Sequence, residues 1–134
     1  MTQQDKELLL RDLSARLLYG TIVSVTDGTI KYKAYIESVS YKNIQVSPVS
    51  DSNFTAYTFY KISEIKPYLR PMSSITEAEL WEFRHFSDHI RDTECKIHIA
   101  NYKQIDWLNA HHFDYRNLIT KGLALEAPEG MYEY

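Results

Sequence analysis

The chain has few glycines, prolines and cysteines. It contains four glycines and four prolines in 134 residues, and no glycine-rich run that could hold a phosphate group. Its one cysteine, Cys95, cannot form an internal disulfide bond, so a reducing cytoplasm is the expected location. No apolar run approaches the roughly 20 residues of a membrane span, and the polar N-terminal residues lack the pattern of a signal peptide. We therefore expect a cytoplasmic protein with no membrane partner.

Tyrosines and acidic residues are more abundant. The 11 tyrosines suit both the core of a small barrel and a hydrated interface, because tyrosine combines an apolar ring with a polar hydroxyl. Residues 1–72 carry a net charge of +2 and residues 73–134 carry −5. The acidic second part disfavours general binding of phosphate backbones, which requires concentrated positive charge. The length predicts a single domain over residues 1–134.

Residues 1–20 have the periodicity of a helix. Leucines recur three and four positions apart, at positions 9, 10, 13, 17 and 18. Thr2 is the expected N-cap, and Gly20 stands where a C-terminal glycine belongs. The charged residues, Asp12 and Arg16 among them, are predicted to lie mostly on the opposite, solvated face.

From residue 21 to residue 71 the period changes from helical spacing to two. Apolar and polar residues alternate from Val23 onward and again after Ile30, and the pair Asp27-Gly28 between them predicts a hairpin. Further short strands are predicted from Ile44 to a stop at Pro48, over residues 57–62 and over residues 65–71. This pattern predicts a small antiparallel bent sheet, or an SH3/Sm-like partly open barrel.

Residues 72–134 are predicted to be mainly helical. Thr76 and Glu79 form the pattern of a capping box, so a helix should run from residue 77 to about residue 89. A short strand over residues 95–99 and a helix over about residues 104–111 should follow. Asp114 is predicted to cap a last short helix over residues 115–121, ending at Gly122. The fold class is therefore α+β, with an N-terminal helix, the bent sheet and C-terminal short helices packed on it.

Histidines supply the residues most suited to catalysis. His111 and His112 lie close to Asp114, which makes a small hydrolase or metal site at these three residues one hypothesis. His85 and His89 have a metal-compatible spacing, but a site needs three or four ligands. No nucleophile or paired carboxylate is evident nearby. We expect no catalytic residue, no metal and no cofactor, and we favour a protein that is not an enzyme over one that is.

The predicted sheet offers a mixture of basic and aromatic residues that could bind single-stranded nucleic acid by charge and stacking. From this mixture we select Lys31, Lys33, Tyr35 and Lys61 as candidate nucleic-acid-binding residues. The layout of a helix followed by short strands is similar to that of Sm-like folds, but a fold does not determine function. Nucleic acid is thus a possible ligand and not the favoured one.

Three segments resemble an uncharacterised family of small proteins from gut anaerobic bacteria and their phages or prophages. They are KELLLRDLSARLLYG (residues 6–20), IKPYLRPMSSITE (residues 65–77) and DWLNAHHFDYRNLITKGLALEAPEGMY (residues 106–132). The chain departs from the family pattern at Ser14, Leu18 and Asn117, where the family commonly has Cys, Pro and Gly. The resemblance implies a setting in a bacterial mobile element and supplies no catalytic residues.

The third segment, which we call the C-terminal motif, is rich in the residue types that dominate protein interfaces. We predict that it serves a non-catalytic protein-interaction or regulatory accessory protein, which contacts a protein partner or associates with itself. The candidate interaction residues are Trp107, His111, His112, Asp114, Tyr115 and Arg116. The alternative is that Trp107 and Phe113 are core anchors of the two short helices.

Overall fold

The first element is helix α1, Gln3–Ala15, in a computed structural model that describes residues 1–49, 58–86 and 101–132. The Thr2 hydroxyl accepts from the Asp5 amide and the Asp5 carboxylate accepts from the Thr2 amide, so the helix begins with a capping box. A 3-10 turn, Leu17–Tyr19, follows and ends at Gly20, whose φ of 64° is readily adopted by glycine. The predicted helix, its N-cap and its glycine stop are confirmed.

Five strands form the main sheet: β1 (Ile22–Asp27), β2 (Ile30–Val39), β3 (Ile44–Pro48), β4 (Thr58–Tyr60) and β5 (Ile65–Pro71). Strands β1 to β4 pair consecutively and antiparallel, and β5 returns to pair antiparallel with β1. A register shift between Ile36 and Ser38 of the long β2 marks the irregularity that bends such a strand. The hairpin at Asp27-Gly28 is confirmed.

Two short strands extend the sheet beyond β5. Strand β6, Phe113–Asp114, and strand β7, Leu125–Glu126, both pair with β5 in parallel, which the antiparallel prediction did not include. The strand order is β4-β3-β2-β1-β5-β6, with β7 also on β5. The sheet does not close into a barrel, so the fold is an α+β fold with a bent, mostly antiparallel sheet.

The main core lies between α1 and the inner face of the sheet. Alternating strand residues point to this face because successive side chains of a strand lie on opposite sides. Leu9 and Leu13 of α1 are fully buried against them. The inner-face residues of this cluster are Val23, Val25, Ala34, Ile36, Ile44, Val46, Tyr60, Ile65 and Leu69.

Helices α2 (Glu77–His85) and α3 (Tyr102–Ala110) pack together beside the sheet. The capping box predicted for α2 is confirmed, since Thr76 and Glu79 exchange hydrogen bonds. The helix ends at His85, with Phe86 as its C-cap, earlier than predicted. The metal spacing that includes His89 and the strand predicted over residues 95–99 lie outside the described residues. Within the described ranges, no helix is long and apolar enough to cross a membrane.

The prediction of a helix over residues 115–121 is wrong. The segment forms consecutive turns, because Asn117 has a φ of 63° and interrupts the right-handed helical conformation. Asp114 does accept backbone hydrogen bonds, as predicted, from the amides of Leu118 and Ile119. Its carboxylate thus organises a turn in place of a helix.

The solvated position predicted for Asp12 and Arg16 is also wrong. Both side chains are fully buried, whereas Leu18 is 87% exposed. The sequence Leu9, Asp12, Leu13, Arg16 follows the spacing i, i+3, i+4, i+7, which places all four on one helix face. The charged pair therefore enters the interior together with the leucines.

Candidate functional site

The C-terminal motif builds much of the interior beside the sheet. Trp107 is 6% exposed and Phe113 is fully buried, and their rings are stacked with centroids 5.6 Å apart. The indole of Trp107 also donates a hydrogen bond to Glu82 of α2 at 2.9 Å. These contacts anchor the two aromatic residues between α2, α3 and β6. Because both side chains are buried, they offer little surface for a partner to contact.

His112 is held in a strained and buried position. Its φ is 62°, it is 4% exposed, and its Nε2 lies 2.9 Å from the carbonyl oxygen of Tyr19. Because a carbonyl can only accept, Nε2 must carry the hydrogen. Desolvation by burial lowers the pKa of His112 to about 4, with further lowering by the nearby charge of Arg16 and a partial offset by the Tyr19 hydrogen bond. The imidazole is therefore neutral at pH 7.

The other members of the hypothetical hydrolase or metal site also have structural partners. Both carboxylate oxygens of Asp114 accept backbone hydrogen bonds, at 2.8 and 2.9 Å. The His111 Nδ1 lies 2.9 Å from the Trp107 carbonyl, and the imidazole stacks on the indole at 4.0 Å. Among the described residues, no group of three or more His, Cys, Asp or Glu side chains could hold a metal ion. The side chains of His111, His112 and Asp114 therefore each contact backbone groups of the protein itself.

Tyr115 and Arg116 connect the C-terminal motif to α1. The Asp12 carboxylate receives two hydrogen bonds from Arg16, at 2.8 and 3.1 Å, and its Oδ1 lies 3.3 Å from the Arg116 Nε. Arg16 also donates from Nη2 to the Phe113 carbonyl at 2.6 Å. The two guanidinium groups lie 5.3 and 5.1 Å from the centre of the Tyr115 ring. The motif is thus tied to the N-terminal helix by a buried charge network.

Solvent reaches the six candidate interaction residues unequally. Trp107, His112 and Asp114 are buried, while His111, Tyr115 and Arg116 are half-buried. A partner could therefore touch only the second group without rearrangement of the protein.

A more accessible surface lies on the side of the sheet that faces away from α1, and we call it the outer face. Lys33 of β2 and Lys66 of β5 are the register partners of Ser24 on β1, one on each side. Lys31 lies two residues from Lys33 on the same face of β2. Three exposed cations therefore share this surface.

Aromatic rings lie among these lysines. Tyr35 continues the outer face of β2 and is 38% exposed, and Phe59 of β4 is 60% exposed. Phe59 belongs to this face because its register partner is Gln45, whereas its neighbour Tyr60 pairs with the core residue Ile44. The Tyr68 ring of β5 lies 5.5 Å from the Lys33 Nζ, within the range of a cation–π contact.

The outer face carries little negative charge. Glu37 is the one carboxylate on it within the described strands, and it accepts a hydrogen bond from Ser47. Asp27, at the exposed end of β1, accepts from the Tyr60 hydroxyl, which in turn accepts from Tyr32 at 2.6 Å. Burial, followed by the hydrogen bond from Tyr32, raises the pKa of Tyr60, so the Tyr60 hydroxyl stays protonated and keeps its hydrogen bond to Asp27. The exposed charge of the outer face is positive.

The candidate nucleic-acid-binding residues are divided by the structure. Lys31, Lys33 and Tyr35 are brought together on the outer face, but the exposed Lys61 lies between β4 and β5, outside the paired strands. The selection left out Lys66 and Tyr68, although both belong to the basic and aromatic mixture of the predicted sheet, and it missed Phe59. Strand alternation and pairing order could have indicated all three.

A cavity of about 450 Å³ lies between the end of β5 and the C-terminal residues. Arg70, Pro71 and Ser74 line one side, and residues 126–130 with Tyr132 line the other. The Arg70 guanidinium makes a bidentate ion pair with Glu79 at 2.7 and 2.8 Å, and these hydrogen bonds lower the pKa of Glu79 to about 2. This arginine is therefore already charge-paired at the cavity wall.

Comparisons of the chain with protein-family models, with curated proteins and with solved structures gave no match.

Proposed function

We propose that this protein is a non-catalytic binding protein whose outer face binds single-stranded nucleic acid. The observation that supports the proposal is the grouping of three lysines and three aromatic rings on one side of the sheet. The cations are Lys31, Lys33 and Lys66, and the rings are Tyr35, Phe59 and Tyr68.

The spacing of these groups suits an extended ligand. Lys31 and Lys33 are separated by two residues of one strand, or about 7 Å, and Lys33 and Lys66 by two interstrand steps, or about 10 Å. Ammonium groups at such intervals can follow a phosphate backbone, while bases stack on exposed rings such as Phe59. Stacking and charge together require little base specificity. The expected ligand is therefore single-stranded and is bound with weak sequence preference.

The test is fluorescence anisotropy with a labelled single strand of roughly ten to sixteen nucleotides, titrated at several salt concentrations. With three lysines on phosphates, log K should fall against log salt with a slope of about −2, since each contact contributes about −0.7. The double variant Lys31→Ala/Lys33→Ala should leave a slope of about −0.7 and bind more weakly. Phe59→Ala should lower the affinity about tenfold, because stacking on one ring contributes about 1–3 kcal/mol.

The matched control is Lys103→Ala/Lys121→Ala, which removes the same charge from exposed positions in the second part of the chain. It should bind like the wild type. Absent binding, or equal losses in the two double variants, would contradict the proposal, since only the first double variant changes the outer face.

A protein partner is the second candidate. Trp81 of α2 and Tyr102 of α3 are each 70% exposed, and large aromatic side chains are frequent at interface hot spots. A partner captured after nuclease treatment, and retained by Lys31→Ala/Lys33→Ala, would favour this candidate. The protein-interaction or regulatory role rests on the residue types of the C-terminal motif, and the mobile-element setting rests on the resemblance of the three sequence segments.

A further inference from the structure

The hydroxyl of Tyr132 fills the position where the pairing of β1 with β5 stops. The ladder ends at Val23 and Pro67, so Ile22 and Tyr68 would form the next pair. The hydroxyl instead accepts from the Ile22 amide at 2.9 Å and donates to the Tyr68 carbonyl at 2.8 Å. One side chain from the C-terminal segment thus takes the place of a backbone pair.

The ring of Tyr132 is held as firmly as its hydroxyl. It lies flat against the imidazole of His112, with ring centres 3.6 Å apart and planes 5° from parallel. His112 is itself fixed by its hydrogen bond to Tyr19. The receiving site for the tyrosine is therefore built from rigid parts of the fold.

Two backbone hydrogen bonds accompany the contacts of Tyr132 in the segment that carries it. At its start the Ala127 amide donates to the Leu69 carbonyl at 2.8 Å, next to β7. The following residues form a turn closed by the Met131 amide and the Pro128 carbonyl, and Gly130 has a φ of 79°. Residues 128–130 are exposed and lie over the cavity of about 450 Å³. None of residues 127–132 is fully buried, and a segment with few buried groups opens at a lower free-energy cost than the core, with the contacts of Tyr132 as the main restraint.

The attachment point adjoins the outer face. Ile22 is the register partner of Tyr35, and Tyr68 carries the ring that lies below the Lys33 ammonium group. Glu126 of β7 pairs with Leu69, the residue after Tyr68. The fastened segment therefore holds Glu129 and an exposed turn at the end of β5, next to one end of the outer face.

We propose that residues 127–132 form a releasable strap, fastened by Tyr132, that restrains access of single-stranded nucleic acid to the outer face. The inference rests on the proposed function, and it adds regulation to that site. Closed, the strap places negative charge and side-chain bulk where the strand would leave the sheet. Open, it exposes the Ile22 amide and the Tyr68 carbonyl at the end of the same face.

The first experiment tests the fastening without any ligand. Amide hydrogen exchange is measured on the wild type and on Tyr132→Phe, which keeps the ring and removes the hydroxyl. The Ile22 amide should exchange about fivefold faster or more in the variant, because its acceptor is lost. The control is Tyr102→Phe, an exposed tyrosine on α3. Unchanged Ile22 exchange in Tyr132→Phe would overturn the strap.

The second experiment measures binding of the same labelled oligonucleotide by anisotropy. Tyr132→Ala and Tyr132→Phe should bind about threefold more tightly or better, because the open form no longer has to be populated first. Equal affinities in wild type and variants would overturn the strap and leave the proposed function standing. An absence of binding in every variant would overturn the proposed function, and the regulation with it. Binding by the Tyr132 variants alone would support both.

Discussion

His112 belongs to a residue type that is common in catalytic sites, but its contacts in this fold are structural. Its ring is stacked on Tyr132 and its Nε2 donates to the Tyr19 carbonyl. Burial disfavours its charged form, so it is neutral when the protein is folded at neutral pH. A buried neutral histidine thus joins distant parts of the chain through ring stacking and hydrogen bonding.

The lowered pKa of His112 predicts a loss of stability in mild acid. Its folded-state pKa is about 4, below the ordinary 6.5, so between these values the unfolded chain binds the extra proton. The free energy of unfolding should therefore be at its full value above about pH 6.5 and fall by up to about 3 kcal/mol toward pH 4. Urea unfolding of the wild type at pH 7 and pH 5 measures this effect.

The variant His112→Asn tests whether this residue is the cause. Asparagine tolerates a positive φ and its amide can donate to the Tyr19 carbonyl. It should reduce the difference in stability between pH 7 and pH 5, with His85→Asn at an exposed position as the matched control. Glu79, whose pKa is about 2, contributes in the lower window between about pH 4.5 and pH 2 and does not confuse the comparison. A variant with the wild-type pH dependence would contradict the assignment.

Among the helices and strands, local sequence signals correctly predicted helix caps and a hairpin turn, because these features depend on neighbouring residues. Thr2 and Thr76 cap their helices as their neighbouring residues indicated, and Asp27-Gly28 turns a hairpin. The helix prediction for residues 115–121 was wrong because neither helix propensity nor a good N-cap shows that Asn117 adopts a left-handed conformation. The parallel strands β6 and β7 are two residues each, and pairing at that length depends on tertiary position, which periodicity does not report.

The turn at Asn117 can be tested by backbone substitution. At a φ of 63° an alanine should destabilise the protein by about 1 kcal/mol, since most L-residues are strained there. Asn117→Gly should be near neutral, because glycine adopts this conformation freely but loses more entropy on folding. Thermal unfolding compares the two variants, with Asn43→Ala in the β2–β3 turn as the control. Equal melting temperatures for the alanine and glycine variants would argue against the positive φ.

At the scale of the whole molecule, the two ends of the chain meet at a buried charge network. Asp12 of α1 is fully buried and receives both Arg16 and Arg116. The outer face was partly predictable, since alternation placed Lys31, Lys33 and Tyr35 on one side of a strand. Phe59 and Tyr68 joined it only through strand pairing, and Tyr132 reaches its edge from a segment that returns from the C-terminal part of the chain. Such contacts between distant positions are not visible in a single sequence.

The network predicts that Asp12 is one of the least replaceable polar residues. Asp12→Asn keeps the shape but leaves the fully buried Arg16 without a counter-charge, which should cost about 3–5 kcal/mol. For a chain of this size that corresponds to a fall in melting temperature of roughly 10–20 °C. The exposed Asp106→Asn is the control. The double variant Asp12→Asn/Arg16→Met should recover part of the loss, because it removes the unpaired charge. A single variant within about 0.5 kcal/mol of the wild type would contradict this, since charge neutralisation would then have no role in joining α1 to the C-terminal motif.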